Sequence, residues 1–141
     1  MNLEKRTFTV PTDGRFDIVT ITEEVQGAVD HLSVTDAFVT VTTPHTTAVV
    51  STNEAERRLF EDIREFFEGL VPAEAGYKHD RHHAATNTQP NAHAHIICAM
   101  LQTSVMLTYN EGTLELGTWE DILLFDADGP SDRTIAVTIL S

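Results

Sequence analysis

Hydrophobic periodicity changes twice along this chain, and that change restricts its fold more than any single motif. Residues 3–10 (Leu3 to Val10) alternate apolar and polar side chains, the period of a half-buried strand. Pro11-Thr12-Asp13-Gly14 is turn chemistry, and Phe16-Asp17-Ile18-Val19 a short extended piece. The period then lengthens. Val25, Ala28, Val29 and Leu32 recur at i, i+3, i+4 and i+7, which predicts an amphipathic helix capped by Thr20 or Thr22. Residues 36–43 and 47–52, rich in β-branched side chains, predict two strands. Leu59, Ile63, Phe66, Phe67 and Leu70 form the apolar stripe of a second helix, with Asn53 or Thr52 as cap and Gly69 near its end. From Val71 to Pro90 no period survives, so a long functional loop is expected there. Ala92 to Leu101 regain helical character. Residues 103–109, 113–117, 122–126 and 134–140 predict strands, with Asn110-Glu111-Gly112 as a hairpin turn. Strands at both ends with about three helices between them predict an α+β domain with a mostly antiparallel or mixed sheet, not an alternating α/β wind.

No linker or repeat divides the sequence, and its 141 residues fit a single domain, 1–141. A lone cysteine, Cys98, excludes an internal disulfide and any zinc site built from several thiolates. No window approaches the run of about 18 apolar residues that a membrane span needs. Met1-Asn2-Leu3-Glu4-Lys5-Arg6 alternates charge where a secretory signal would be hydrophobic, so a cytoplasmic location is expected. Twenty-two acidic residues face nine basic ones, and the net charge of −13 repels both nucleic-acid phosphates and anionic lipid, excluding either as an electrostatic partner. With only Lys5 and Lys78 as lysines, the composition also suits a salt-loaded cytoplasm, where a Debye length of about 3 Å at molar salt removes the self-repulsion.

Chemistry concentrates in the histidines, of which there are seven. His45 stands where one predicted strand ends and the next begins, and His79 lies in the long loop beside Asp80. His82 and His83 are adjacent and diverge in any regular backbone. His93 and His95, two apart, diverge by about 200° on a helix and are poor partners for one ion there. A three-histidine metal site must therefore draw ligands from separate segments. His31, on the first predicted helix beside Asp30, has no such context. Glu54 and Asp62, eight residues apart, share one face of the second helix, where carboxylates either catalyse or complement dipole and solvent. Trp119 is expected as a packing anchor. Arg133, one of few cations, is expected either to pair with a neighbouring acid or to bind a phosphate or carboxylate ligand. There is no Walker loop, dinucleotide fingerprint or elbow serine.

Taken in order, His45-Thr46-Thr47, Asn53-Glu54, Asp62, Tyr77-x-His79-Asp80, Asn91-Ala92-x-Ala94-His95, Leu114-x-Leu116-Gly117-Thr118-Trp119, Asp128-Gly129-Pro130 and Arg133 resemble the YjbQ-type family, often labelled secondary thiamine-phosphate synthase. The resemblance covers essentially the whole chain. It implies a compact α+β homotrimer and a metal-binding enzyme acting on a small phosphorylated metabolite. The family's histidine pattern falls on His45, His79 and His95 as metal ligands, zinc by ligand type or Mg²⁺ if the synthase label applies. Glu54 and Asp62 fall in catalytic positions as general base or ligand orienter. Asn53, Asp80, Asn91 and Arg133 fall in ligand-binding ones. Three departures lower the local positive charge or alter a turn: Gln102-Thr103-Ser104 replaces Gly-Ser-Ser, Ser131 replaces an arginine after Gly-Pro, and Glu120 replaces a glutamine. A metal-dependent hydrolase and a non-catalytic metabolite-binding trimer are the competing expectations.

Overall fold

A computed structural model describes residues 1–86 and 88–141. In chain order the elements are β1 (Leu3–Pro11), β2 (Asp17–Thr20), α1 (Thr22–Val29), β3 (Asp36–Thr42), β4 (Ala48–Asn53), α2 (Arg57–Leu70), α3 (Lys78–Thr86), α4 (Ala92–Met100), β5 (Ser104–Asn110), β6 (Thr113–Leu114), β7 (Asp121–Asp126) and β8 (Asp132–Leu140). A five-stranded sheet runs β1-β8-β3-β5-β6 and a three-stranded one β2-β7-β4, and the strand pairs described are antiparallel. β1 and β8 pair along their whole length, from Leu3 opposite Leu140 to Pro11 opposite Asp132. This is the expected α+β domain.

The two sheets face each other across one core. Val39, Val41, Ile135 and Val137 from the larger sheet meet Val50, Ile122 and Leu124 from the smaller one, with Val25 and Val29 of α1 packed at the same core. The smaller sheet's other face builds a second core, in which Val49, Leu123 and Phe125 meet Ala94, Ile97 and Cys98 of α4 and the flank of α2. The central strand β7 is thus buried on both sides, which is why Ile122-Leu123-Leu124-Phe125 reads as an unbroken apolar run rather than an alternation. At about 25 cal/mol per Å² of apolar surface removed from water, burying each such side chain contributes roughly 1.5–3 kcal/mol.

Several local expectations are revised. A fourth helix, α3, occupies part of the segment expected to be a loop. The strand expected over 113–117 is the two-residue β6, joined to β5 through Glu111 and Gly112, both at positive φ as a tight two-residue hairpin requires. Glu56, rather than Asn53 or Thr52, caps α2, accepting a hydrogen bond from the Leu59 N–H at 2.9 Å. α1 starts after Ile21 with no side-chain cap; Thr20 ends β2, and Thr22 instead donates to Asp121 Oδ1 (2.7 Å) and accepts from the Ile122 N–H (2.9 Å), tying α1 to β7. Trp119 is 74% exposed and anchors no core. Phe38 and Met106 lie exposed on the larger sheet, on the face opposite the core. Among the described residues no helix is long and apolar enough to cross a membrane.

Candidate functional site

α4 organises the histidines. It begins at Ala92, whose N–H donates to Asp80 Oδ1 at 2.9 Å, so a carboxylate from α3 caps the first turn of α4 and holds the two helices together. Asn91 Nδ2 donates to Asp128 Oδ2 at 2.8 Å, fixing the same turn to the segment after β7. Helical phase sends the two histidines of α4 to opposite sides. His93 is 7% exposed and faces a cavity of about 730 Å³ bordered by Arg15, Asp80, Asp128 and Gly129. Among the described residues, both of its ring nitrogens, and Asn91 Oδ1 nearby, are buried without a hydrogen-bond partner. His95 looks the other way. It borders a cavity of about 410 Å³ with Tyr77, His79 and Ile96, and one of about 350 Å³ with Thr43, His45 and Cys98.

His79 and His83 stand one turn apart on α3 and touch, ring centres 4.0 Å apart. His79 and His95 meet edge to face at 5.1 Å. Burial of the ring, followed by the neighbouring charge of His79, lowers the pKa of His95 and favours its neutral form. Cys98, on the same helix, is no nucleophile or thiolate ligand, because burial pushes its thiol up to about 12.

Beneath these cavities lies a buried ion pair. Asp126 accepts from Arg133 Nε at 2.8 Å, from Arg133 Nη2 at 2.5 Å and from Thr12 Oγ1 at 2.6 Å. Arg133 Nη2 also reaches the Asp128 carbonyl at 3.1 Å. Gly129 follows immediately, in a cis Gly129-Pro130 peptide, and a Cβ there would strike the Gly14 carbonyl oxygen.

The residues expected to form the site separate into three groups. His79, His95, Asp80 and Asn91 come together at the α3–α4 junction. His45 shares a cavity wall with His95, but its Nε2 accepts the Thr134 N–H at 3.1 Å, which leaves the ring proton on Nδ1 and no lone pair for an ion. Within one chain of this structure, His45 therefore stands apart from the His79–His95 pair. Arg133, expected as a ligand-binding cation, is buried and spent on Asp126. Asn53, Glu54 and Asp62 are exposed and border none of the cavities lined by histidine; Asn53 Oδ1 takes the Glu54 N–H. The sequence reading missed His83, His93 and Asp128. For His83 the signal was present: spacing of four from His79 puts both on one face, once the segment is helical.

The expected metal can be tested against these side chains. With a zinc–nitrogen bond of about 2.0–2.1 Å and roughly 1.2 Å from nitrogen to ring centre, two imidazoles on a tetrahedral ion have centres about 5.2 Å apart. His79 and His95 stand at that spacing, which is also that of an ordinary edge-to-face ring contact. Among the described residues no group of three or more His, Cys, Asp or Glu side chains is arranged to hold a metal ion.

The family model for UPF0047, YjbQ-like proteins matches residues 6–141. This chain belongs to that family. A UPF0047 protein of Archaeoglobus fulgidus is 43% identical over 132 residues, covering 94% of this chain and 98% of that protein. Another from Methanothermobacter thermautotrophicus is 33% identical over 128 residues, covering 91% and 85%. Among solved structures, the hypothetical protein APE1520 of Aeropyrum pernix K1 superposes with a TM-score of 0.88 at 36% identity, over 98% of each chain. A YbjQ-like protein from Sulfolobus solfataricus P2 gives 0.88 at 31% identity, over 99% of this chain and 98% of that one. The α+β fold described above is thus that of YjbQ-like structures.

Proposed function

We propose that this YjbQ-like chain is a small-molecule enzyme that holds a divalent ion at the His79–His95 wall and acts on a phosphorylated metabolite, as its resemblance to secondary thiamine-phosphate synthases suggests. The observation that carries the reading is the 5.1 Å pair of imidazoles at a cavity of about 410 Å³. Its ligand type selects zinc over Mg²⁺, which prefers oxygen.

Charge bears on the same reading. A phosphate needs positive charge, and the cavity wall carries one cation, Lys78. Arg133 is neutralised by Asp126, and Arg15 pairs with Glu74 at 3.3 Å. Asp80 and Asp128 add negative charge beside His93, across α4. When bound, an ion would add to the charge of Lys78 and polarise a phosphoryl oxygen. The protein's own part is to present the His79 and His95 imidazoles, hold α4 through Asp80, and wall the cavity with Tyr77 and Ile96. The hydrolytic version of this reading draws on the same geometry, since a small ligand set leaves room for water beside the substrate.

Assembly is the second part of the proposal. A homotrimer would cover exposed apolar side chains such as Phe38 and Met106, and Glu54 and Asp62 would reach a site only by lying against a neighbouring copy. The reading places this work in the cytoplasm, where Cys98 stays a free thiol.

The test is to purify the chain, measure bound metal, and assay phosphate release from phosphomonoesters and thiamine-phosphate formation with and without Zn²⁺. Ion-dependent turnover lost in His95→Ala supports the enzyme. Stoichiometric ion with no turnover on either class favours the metabolite-binding trimer instead. Light scattering in molar KCl should give three times 15.6 kDa, and a monomer there refutes the trimer.

A further inference from the structure

We propose that the cavity beside His93, across α4 from the His79–His95 wall, is a separate binding site for a small organic ammonium compound such as an amino alcohol or diamine. The proposal goes beyond the ion reading above and does not depend on it.

Three observations carry it. The first is an unmet group. His93 is 7% exposed and borders both this cavity of about 730 Å³ and a smaller one of about 230 Å³. Among the described residues neither of its ring nitrogens has a hydrogen-bond partner. Buried polar side chains in folded proteins are nearly always satisfied, so two open nitrogens on one ring call for a partner from outside the chain. The larger cavity lies within the range of about 300–1,000 Å³ typical of small-molecule sites.

The second is charge. Arg15, Glu74, Asp80 and Asp128 border the cavity. Arg15 and Glu74 pair with each other at 3.3 Å and cancel, so the wall keeps the negative charge of Asp80 and Asp128. Such a wall repels a phosphate and attracts an ammonium group.

The third is hydrogen-bonding capacity. Asp80 gives Oδ1 to the Ala92 N–H, and Asp128 gives Oδ2 to Asn91 Nδ2. A carboxylate offers about four lone-pair sites, so each can accept further bonds from a ligand. Acceptors dominate the wall, and an ammonium group, with up to three N–H donors, complements them. A neutral imidazole presents one donor and one acceptor, which a hydroxyl or second amine on the same ligand meets. The two cavities share Arg15, Ala73, Glu74 and His93 in their walls. A ligand reaches the covered ring nitrogens by parting the exposed Arg15–Glu74 pair, which contributes little in water.

The full chain, stripped of metal, is titrated with ethanolamine, putrescine and agmatine, with ethylene glycol and inorganic phosphate as neutral and anionic controls. Calorimetry gives stoichiometry and Kd, and NMR of the histidine ring nitrogens follows His93, assigned by its loss in His93→Phe. The expected result is saturable binding of one amine per chain with a shifted His93 signal, and no comparable binding of glycol or phosphate. His93→Phe should weaken binding by about tenfold or more while leaving the free protein's Tm unchanged or higher, because an apolar ring replaces unmet polar atoms. A histidine needed only for the fold would lower Tm instead. Asp128→Asn, which keeps an amide oxygen for Asn91, should weaken binding about 10- to 100-fold. It removes one of twenty-two acidic residues, so general attraction to a chain of charge −13 would hardly change. The exposed His82→Ala should bind as wild type does. Absence of saturable amine binding, or phosphate or glycol bound as tightly, overturns the proposal. Undiminished amine binding in His93→Phe or in Asp128→Asn does the same, and Asp128→Asn decides alone if His93→Phe does not fold. The ion reading is untouched by either result, since the protein titrated holds no metal.

Discussion

Replacing Asp126 by asparagine should cost the fold about 3–5 kcal/mol, the penalty for stranding a buried charge whose partner has been removed. Asp126 is fully buried and Arg133 only 6% exposed, so solvent cannot take over the guanidinium's missing partner. The carboxylate accepts four hydrogen bonds, from Thr12 Oγ1, Arg133 Nε, Arg133 Nη2 and the Asp128 N–H. An asparagine presents an NH₂ group to donors at one of those two oxygen positions, so at least one donor is left facing another. For 141 residues the unfolding entropy near the midpoint is about 0.3 kcal/mol per kelvin, which converts the penalty to a Tm drop of roughly 10–17 °C. Scanning calorimetry on D126N, R133M and the double variant forms a cycle. In the double variant no charge is stranded, and Thr12 again has a carbonyl oxygen to meet, so it should be more stable than D126N alone. A D126N penalty under about 1 kcal/mol, or a double variant no better than the single, would refute the claim that this pair is desolvated.

Four further outcomes follow from particular contacts. Gly129→Ala should destabilise by about 1–3 kcal/mol or more in urea unfolding, because its Cβ lands on the Gly14 carbonyl oxygen and within 3.1 Å of Asp126 Oδ2. In metal-free protein the lowered pKa of His95 means that below its ordinary value of 6.5 the unfolded chain binds a proton that the folded one resists. Stability should therefore fall as pH drops below about 6.5, and His95→Asn should flatten that part of the profile in denaturant melts. Because acids exceed bases by 13, the melting temperature should rise between 0.1 M and 2 M KCl, and a flat or falling curve removes the halophilic reading. Amides of Lys78–Thr86 should exchange with solvent far faster than those of β7, since α3 buries no residue and a nine-residue helix is marginal without packing; equal protection in a mass-resolved exchange experiment refutes this.

That last contrast explains what could and could not be read from the residues. Elements that bury a stripe announce themselves: Val25 and Val29 of α1, the Phe60, Ile63 and Phe67 flank of α2, and the alternation of β3 all carry the period of the surface they cover. α3, with the sequence Lys-His-Asp-Arg-His-His-Ala-Ala-Thr, covers nothing, so its helix leaves no hydrophobic trace. Polar contacts hold it: Asp80 to the first turn of α4, His83 to Gln89. The site inherits the same blind spot. His79, His95, Asp80 and Asn91 were legible as chemistry-bearing positions, whereas the contact of His83 with His79 depended on a helix no pattern revealed. The exclusion of His45 depended on a hydrogen bond to Thr134, 89 residues away. The neutralisation of Arg133 similarly depended on β7 and β8, strands of different sheets, bringing Asp126 beneath it.

The divergence of His93 and His95 along α4, which made them unsuitable as joint ligands, has a constructive consequence. It turns α4 into a partition, with the carboxylate-lined cavity of about 730 Å³ on the His93 side and the imidazole-lined one of about 410 Å³ on the His95 side. The two sides differ in chemistry as well as position. On the His95 side the neighbours are Tyr77, Lys78 and the His79 ring. On the His93 side two buried nitrogens and Asn91 Oδ1 lack partners, and each unmet group costs on the order of 1–3 kcal/mol. A protein tolerates such a cost where something else in the working state meets those groups, water included. The Asp80–Ala92 hydrogen bond at the helix start joins the two walls, since Asp80 borders the His93 side and Ala92 the His95 side. Asp80→Asn, which weakens that shared cap, should therefore disturb both cavities together.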